Sequence, residues 1–96
     1  PRVSKLMALA IRFDQLLRDG VVADLSELAR LAHVTQPRMT QIMNLLHLAP
    51  DIQEQVLELP RVHAGRDPIA ERHLRLLVRE YRWSRQRHAW SALHQR

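Results

Sequence analysis

Leu25-Ser26-Glu27-Leu28-Ala29-Arg30-Leu31-Ala32-His33-Val34-Thr35-Gln36-Pro37-Arg38-Met39-Thr40-Gln41-Ile42-Met43-Asn44 carries the start and stop signals of two short helices set close together. Asp24, just before it, and Glu27 have the spacing of a capping box, in which a carboxylate takes a free first-turn amide and the Glu reaches back. A helix over Leu25–Ala32 follows, with Leu28, Ala29 and Ala32 turned inward. His33-Val34-Thr35 then reads as a turn, and Thr35 is a good N-cap for a third helix. Pro37 falls in the first turn of that helix, where a missing N–H costs nothing. The helix is expected to reach His47, burying Met39, Ile42, Met43 and Leu46.

Two helices crossing steeply need small residues at the crossing, and Ala29 and Ala32 supply them. With Val34, Met39 and Ile42 closing the contact, 24–47 reads as a helix-turn-helix. The turn position that commonly holds glycine is His33, which is expected to adopt positive φ at some cost. The surface left at the start of the third helix is Gln36, Pro37, Arg38, Thr40, Gln41 and Asn44. Gln and Asn can bond adenine through two hydrogen bonds, Arg favours guanine, and Thr or Pro can touch a thymine methyl. These six are therefore the candidate base readers, with Gln36, Arg38 and Gln41 foremost. Thr35 is placed to donate to a backbone phosphate.

Outward from this motif, the remaining chain also reads as helical. The 96 residues suit one domain, and with two glycines and abundant Leu, Ala, Arg, Gln and Glu they favour an all-α bundle of five or six short helices. A first helix over Ser4–Asp19 shows one apolar stripe through Leu6, Leu9, Ala10, Phe13, Leu16 and Leu17, and Gly20 ends it. Pro50 and Asp51 begin a fourth helix to about Leu59, which Pro60 stops. After a loop over Arg61–Arg66, Asp67-Pro68 signals a fifth helix to Tyr81, burying Ile69, Leu74, Leu77 and Val78. Ser84 is the expected N-cap of a last helix over Arg85–His94.

Charge is unevenly spread. Residues 1–60 hold six Lys/Arg against seven Asp/Glu, whereas residues 61–96 hold nine Arg against three acids. A basic region over 68–94 suits a polyanion, since neutralised phosphates release counterions. Arg72, Arg75, Arg79 and Arg82 would share one side of a continuous helix, so Arg72, Arg75 and Arg79 are candidate phosphate contacts, against the alternative of a solvated face. Tyr81, Trp83, Trp90 and Leu93 are expected to close the core, with a dimer seam as the alternative.

Several classes are disfavoured. The chain has no cysteine, and its six histidines (His33, His47, His63, His73, His88, His94) include no i,i+4 pair, so no metal or cofactor is expected. No nucleophile motif, glycine-rich phosphate loop or spaced acid pair suggests an enzyme or a small-molecule substrate. No apolar run has the length of a membrane span. A chain opening on Pro1 reads as a processed product or part of a longer one.

The strings Glu27-Leu28-Ala29, Val34-Thr35-Gln36 and Met39-Thr40-Gln41-Ile42-Met43-Asn44-Leu45-Leu46 resemble the helix-turn-helix of ParB/KorB-type partition proteins. The Leu-Leu pair running into Leu48-Ala49-Pro50-Asp51-Ile52, and Ile69–Leu77 further on, extend the similarity over about Asp24–Val78. The resemblance implies binding to a palindromic or pseudo-palindromic duplex site, usually as a homodimer, in the cytoplasm on nucleoid or plasmid DNA. The family's N-terminal nucleotide-binding segment is absent here, so nucleotide hydrolysis is not implied. Regulatory, partition and recombination-accessory roles stay open. The alternative from another class is a helical protein–protein interaction module docking a DNA-processing partner, its basic surface incidental.

Overall fold

The first helix, α1 (Arg2–Arg18), spans 17 residues. The computed structural model describes residues 1–61 and 68–94, and the expected loop and the Asp67 cap lie largely outside them. Five further α-helices follow among the described residues: α2 (Leu25–Leu31), α3 (Gln36–Met43), α4 (Pro50–Leu57), α5 (Glu71–Val78) and α6 (Trp83–His94). A 3₁₀ turn over Asn44–His47 extends α3, and no strand occurs among the described residues. The all-α expectation holds.

The helix ends have local causes. At the end of α1 the Gly20 N–H donates to the Leu17 carbonyl (3.2 Å) and the Val21 N–H to Leu16 (3.0 Å), with Gly20 at φ 72°. This is a Schellman motif, and it needs a left-handed residue after the cap. The end of α2 repeats it: His33 N–H donates to Arg30 (3.2 Å) and Val34 N–H to Ala29 (3.0 Å), with His33 at φ 58°. At the helix starts, Asp24 Oδ1 accepts from the Glu27 N–H at 2.9 Å and Thr35 Oγ1 from the Arg38 N–H at 3.2 Å. Glu27 reaches back to the Ala23 N–H, one residue before the cap.

Burial divides into two clusters. The larger joins Val3, Met7 and Ala10 of α1 to Ile42, Leu45, Leu48, Ile52 and Val56, and then to Ile69, Leu74, Leu77 and Trp90. The smaller holds Val22, Leu28, Ala29 and Met39. Phe13 packs against both. Ser4 does not cap α1, which begins two residues earlier than expected; its Oγ donates to the Val56 carbonyl at 2.6 Å and ties α1 to α4.

Three expected elements are corrected. The third helix ends at Met43 rather than His47. Its last turn tightens to three residues per turn, so Leu45 becomes fully buried while Met43 and Leu46 are only half-buried. The fifth helix covers Glu71–Val78 rather than Pro68–Tyr81. Its start is displaced because His73 Nδ1 accepts from the Ala70 N–H at 2.9 Å, the reach-back half of a cap. The last helix begins at Trp83, with Ser84 inside it, because the Glu80 carboxylate accepts the Arg82 N–H at 3.0 Å.

Gln86 fixes where α5 ends and α6 crosses. It is fully buried, and its Oε1 accepts from the Ala49 N–H at 2.6 Å. Its Nε2 faces the carbonyls of Glu80 (3.1 Å), His47 (3.3 Å) and Leu77 (3.3 Å). Leu77 lies in the last turn of α5 and Glu80 just beyond it; the Leu77 carbonyl also accepts the Glu80 N–H at 3.0 Å. Trp90, one turn on, is buried with its indole Nε1 donating to Gln55 Oε1 at 2.6 Å. Tyr81 and Trp83 do not close the core, being 80% and 46% exposed, whereas Leu93 is half-buried against it.

Replacing Gln86 by Leu, close in volume, strands the Ala49 amide and takes a donor from the His47 and Glu80 carbonyls. Urea unfolding is expected to show a loss of about 3 kcal/mol. A loss under about 1 kcal/mol would show that these groups find other partners. His33→Gly is expected to raise stability by about 0.5–1 kcal/mol, since the left-handed backbone strains any residue with a Cβ.

Candidate functional site

The candidate base readers lie on α3 and in the 3₁₀ turn that follows it. Met39 and Ile42 point into the two clusters, so the opposite side of α3 faces outward. Gln36, Pro37, Thr40 and Gln41 are exposed there, Arg38 is half-buried, and Asn44 is half-buried in the 3₁₀ turn. Thr35 is exposed at the cap; its oxygen accepts the Arg38 amide, which leaves the hydroxyl proton for donation.

Two of the foremost candidates are already held within the molecule. Gln36 Nε2 donates to Ser26 Oγ at 2.8 Å, linking the starts of α2 and α3. Beside them Asp24, Glu27, Arg30, Val34 and Gln36 line a shallow hollow of about 450 Å³. Arg38 turns away along α3 toward α5. Its Nη1 and Nη2 donate to the two oxygens of Glu71, the second at 3.0 Å, and Nη1 also donates to Gln41 Oε1 at 3.1 Å. Such a forked pair fixes the guanidinium plane.

Glu71 also accepts from Arg75 Nη1 at 3.1 Å, one turn on along α5. The hydrogen bond from Arg38 holds the Glu71 carboxyl below its ordinary value, against the opposing effect of its partial burial and with help from the charges of Arg38 and Arg75. The carboxylate thus joins α3 to α5 across 33 residues of sequence. A second ion pair, between Arg87 and Asp51, ties α6 to the start of α4, with Arg87 Nε within 2.9 Å and 3.0 Å of the two carboxylate oxygens. The Arg87 guanidinium lies 5.9 Å from the Trp83 ring centroid.

The arginine stripe expected from residue 72 to residue 82 is interrupted. Arg72 and Arg75 lie on α5, Arg79 is its C-cap, and Arg82 lies beyond the helix, 5.8 Å from the Tyr81 ring centroid. Arg72 and Arg79 are exposed, while Arg75 is engaged by Glu71. The site residues therefore form separate groups. Arg38 and Gln41 connect through Glu71 to Arg75, Gln36 is bonded to Ser26 instead, and Arg79 stands at the far end of α5.

Glu71 is a site residue that the sequence does not single out. Its i,i+4 relation to Arg75 is legible as a helix pair, but its bond to Arg38 has no local signal. Among the described residues no cluster of three or more His, Asp or Glu side chains could hold a metal, and no helix is long and apolar enough to cross a membrane. No family model, curated protein or solved structure matches this chain.

The Arg38–Glu71 pair gives a signed pH dependence. Its stabilisation is complete above pH 4.5, the ordinary value for the carboxyl, and is lost as pH falls through the lowered folded value. For a half-exposed pair at most about 1 kcal/mol is expected. The stability difference between the parent and Glu71→Gln should therefore shrink on acidification below that point; a difference independent of pH would mean that the pair contributes nothing.

Proposed function

We propose that this chain binds duplex DNA sequence-specifically, with α2 and α3 acting as a helix-turn-helix and α3 entering the major groove. The observation that carries the reading is the division of α3 into two sides. Met39 and Ile42 are buried, while Gln36, Pro37, Thr40 and Gln41 are exposed at the capped start. A recognition helix needs a rigid back and short, polar, hydrogen-bonding groups in front. The Schellman turn at His33 and the Thr35 cap fix where that front begins.

Within this reading the roles of the candidates divide. Gln41 keeps its NH2 as a donor, and its oxygen has a second lone pair beyond the one given to Arg38, so a two-bond contact to adenine remains open. Thr40 and Pro37 can pack against a thymine methyl. Gln36 reaches a base by exchanging its bond to Ser26. Arg38 acts as a positioning residue that holds Gln41, because its own fork is occupied by Glu71. Thr35, Arg72 and Arg79 are the phosphate contacts, with Arg75 contributing from the Glu71 pair. A partition, regulatory or recombination-accessory protein bound to nucleoid or plasmid DNA, as a homodimer on a palindromic site, is the setting that the resemblance adds.

The experiment is selection from random duplexes followed by sequencing, with the Gln36→Ala/Gln41→Ala protein alongside. One enriched motif is expected, and the double mutant should discriminate its bases less well, by about 1–3 kcal/mol for each glutamine that bonds a base edge twice. Affinity should fall steeply with salt. Retention without enrichment, unaffected by the mutations, would replace this reading with the interaction-module one.

A further inference from the structure

A groove of about 920 Å³, lined in part by Arg38 and Glu71, runs between the N-terminal half of α1 and the start of α5. Its apolar lining is Val3, Leu6, Leu9 and Ile69. Val3 and Ile69 are buried and Leu6 half-buried, but Leu9 is 41% exposed, an uncovered leucine on a helix otherwise anchored in the core. Arg2, Lys5, Arg38, Arg72 and Arg75 also line it, against the single carboxylate of Glu71 among the lining residues. That carboxylate is taken up by Arg38 and Arg75. The groove thus offers an apolar base with a cationic border.

We propose that this groove docks an acidic amphipathic helix of a partner protein, with two or three apolar side chains seated on Leu6 and Leu9 and flanking Asp or Glu side chains meeting Lys5 and Arg72. Charge complementarity selects the occupant. A second copy of this chain, at net charge +5, brings like charge to a cationic border. A duplex satisfies the cations with phosphates, but its apolar groups are isolated thymine methyls in the major groove rather than a continuous stripe for Leu6 and Leu9. An acidic helix with an apolar stripe satisfies both parts at once. Lys5, Leu6 and Leu9 belong to α1, which the reading of α3 does not use, whereas Arg72 is shared with the proposed phosphate contacts.

The test is a display library of random 16-residue peptides panned against the whole chain, with Leu9→Gln, Lys5→Glu and Arg72→Glu proteins as counter-targets. Leu9, Lys5 and Arg72 are exposed, and far-UV circular dichroism checks that each variant keeps its helix content. The expected result is enrichment of peptides pairing apolar residues at helical spacing with Asp or Glu. Each should bind at least about tenfold more weakly to Leu9→Gln and to Lys5→Glu. Duplex binding by Leu9→Gln should be unchanged, which separates failure of the groove from failure of the α3 reading. The proposal is overturned if no acidic peptide is enriched, if enriched peptides bind all three variants as well as the parent, or if Leu9→Gln weakens duplex binding instead. Concentration-dependent dimerisation abolished by Leu9→Gln would also overturn it, by assigning the groove to a second copy.

Discussion

The arrangement of the C-terminal half depends on one buried carboxamide. An isolated amide inside an apolar core costs free energy unless its bonding capacity is met, and in return it constrains everything that meets it. Gln86 gathers an amide from the start of α4 and carbonyls from the 3₁₀ turn and from the end of α5. These are backbone groups at helix ends, where intrahelical partners run out, although the Leu77 carbonyl also takes the Glu80 N–H. A single side chain on α6 therefore terminates α5, fixes the entry to α4 and sets its own helix over the larger cluster. Apolar contacts alone would leave those helix ends to slide, because burial has no direction whereas a hydrogen bond has.

The Glu71 carboxylate plays a comparable part nearer the surface. Because it bonds Arg38 on α3 and Arg75 on α5, the direction of α3 is coupled to the start of α5, where Arg72 is exposed. The same carboxylate borders two surfaces of different chemistry. One carries the short polar groups of α3, and the other an apolar floor with a cationic edge. Arg38 belongs to both, so what α3 contacts and what the groove contacts are not physically independent.

The parts legible in the sequence are those decided by local chemistry. Asp24, Thr35 and Gly20 cap or stop helices through bonds within three to five residues, and each does so where its sequence neighbours predict. His33 carries the left-handed backbone expected of a turn position that lacks glycine. Some of what escaped the sequence involves partners far along the chain, as with Arg38 and Glu71, and some is local but built from residues that are not ordinary caps. Nothing around Asp67 reveals that His73 will cap α5 from Ala70, and a run of arginines from 72 to 82 reads as one stripe until Gln86 ends the helix beneath it. Aromatic residues mislead in the same way. Trp90 and Trp83 are alike in composition, yet only Trp90 lies on the side of α6 that Gln55 and the core can reach.

Phe13 sits where the two clusters meet, and the α2–α3 crossing rests on the smaller one, in which four of the described side chains are buried against thirteen in the larger. Local stability follows the apolar contacts that an element must break to detach. The segment holding Val22, Leu28 and Ala29 can therefore separate from Met39 and the end of α1 while the larger cluster stays intact. Amide protons of α2 then exchange with solvent through this partial opening, ahead of those of α4, whose Ile52 and Val56 are fully buried. The packing divides into two apolar units of unequal size, and the smaller one holds the turn that precedes α3.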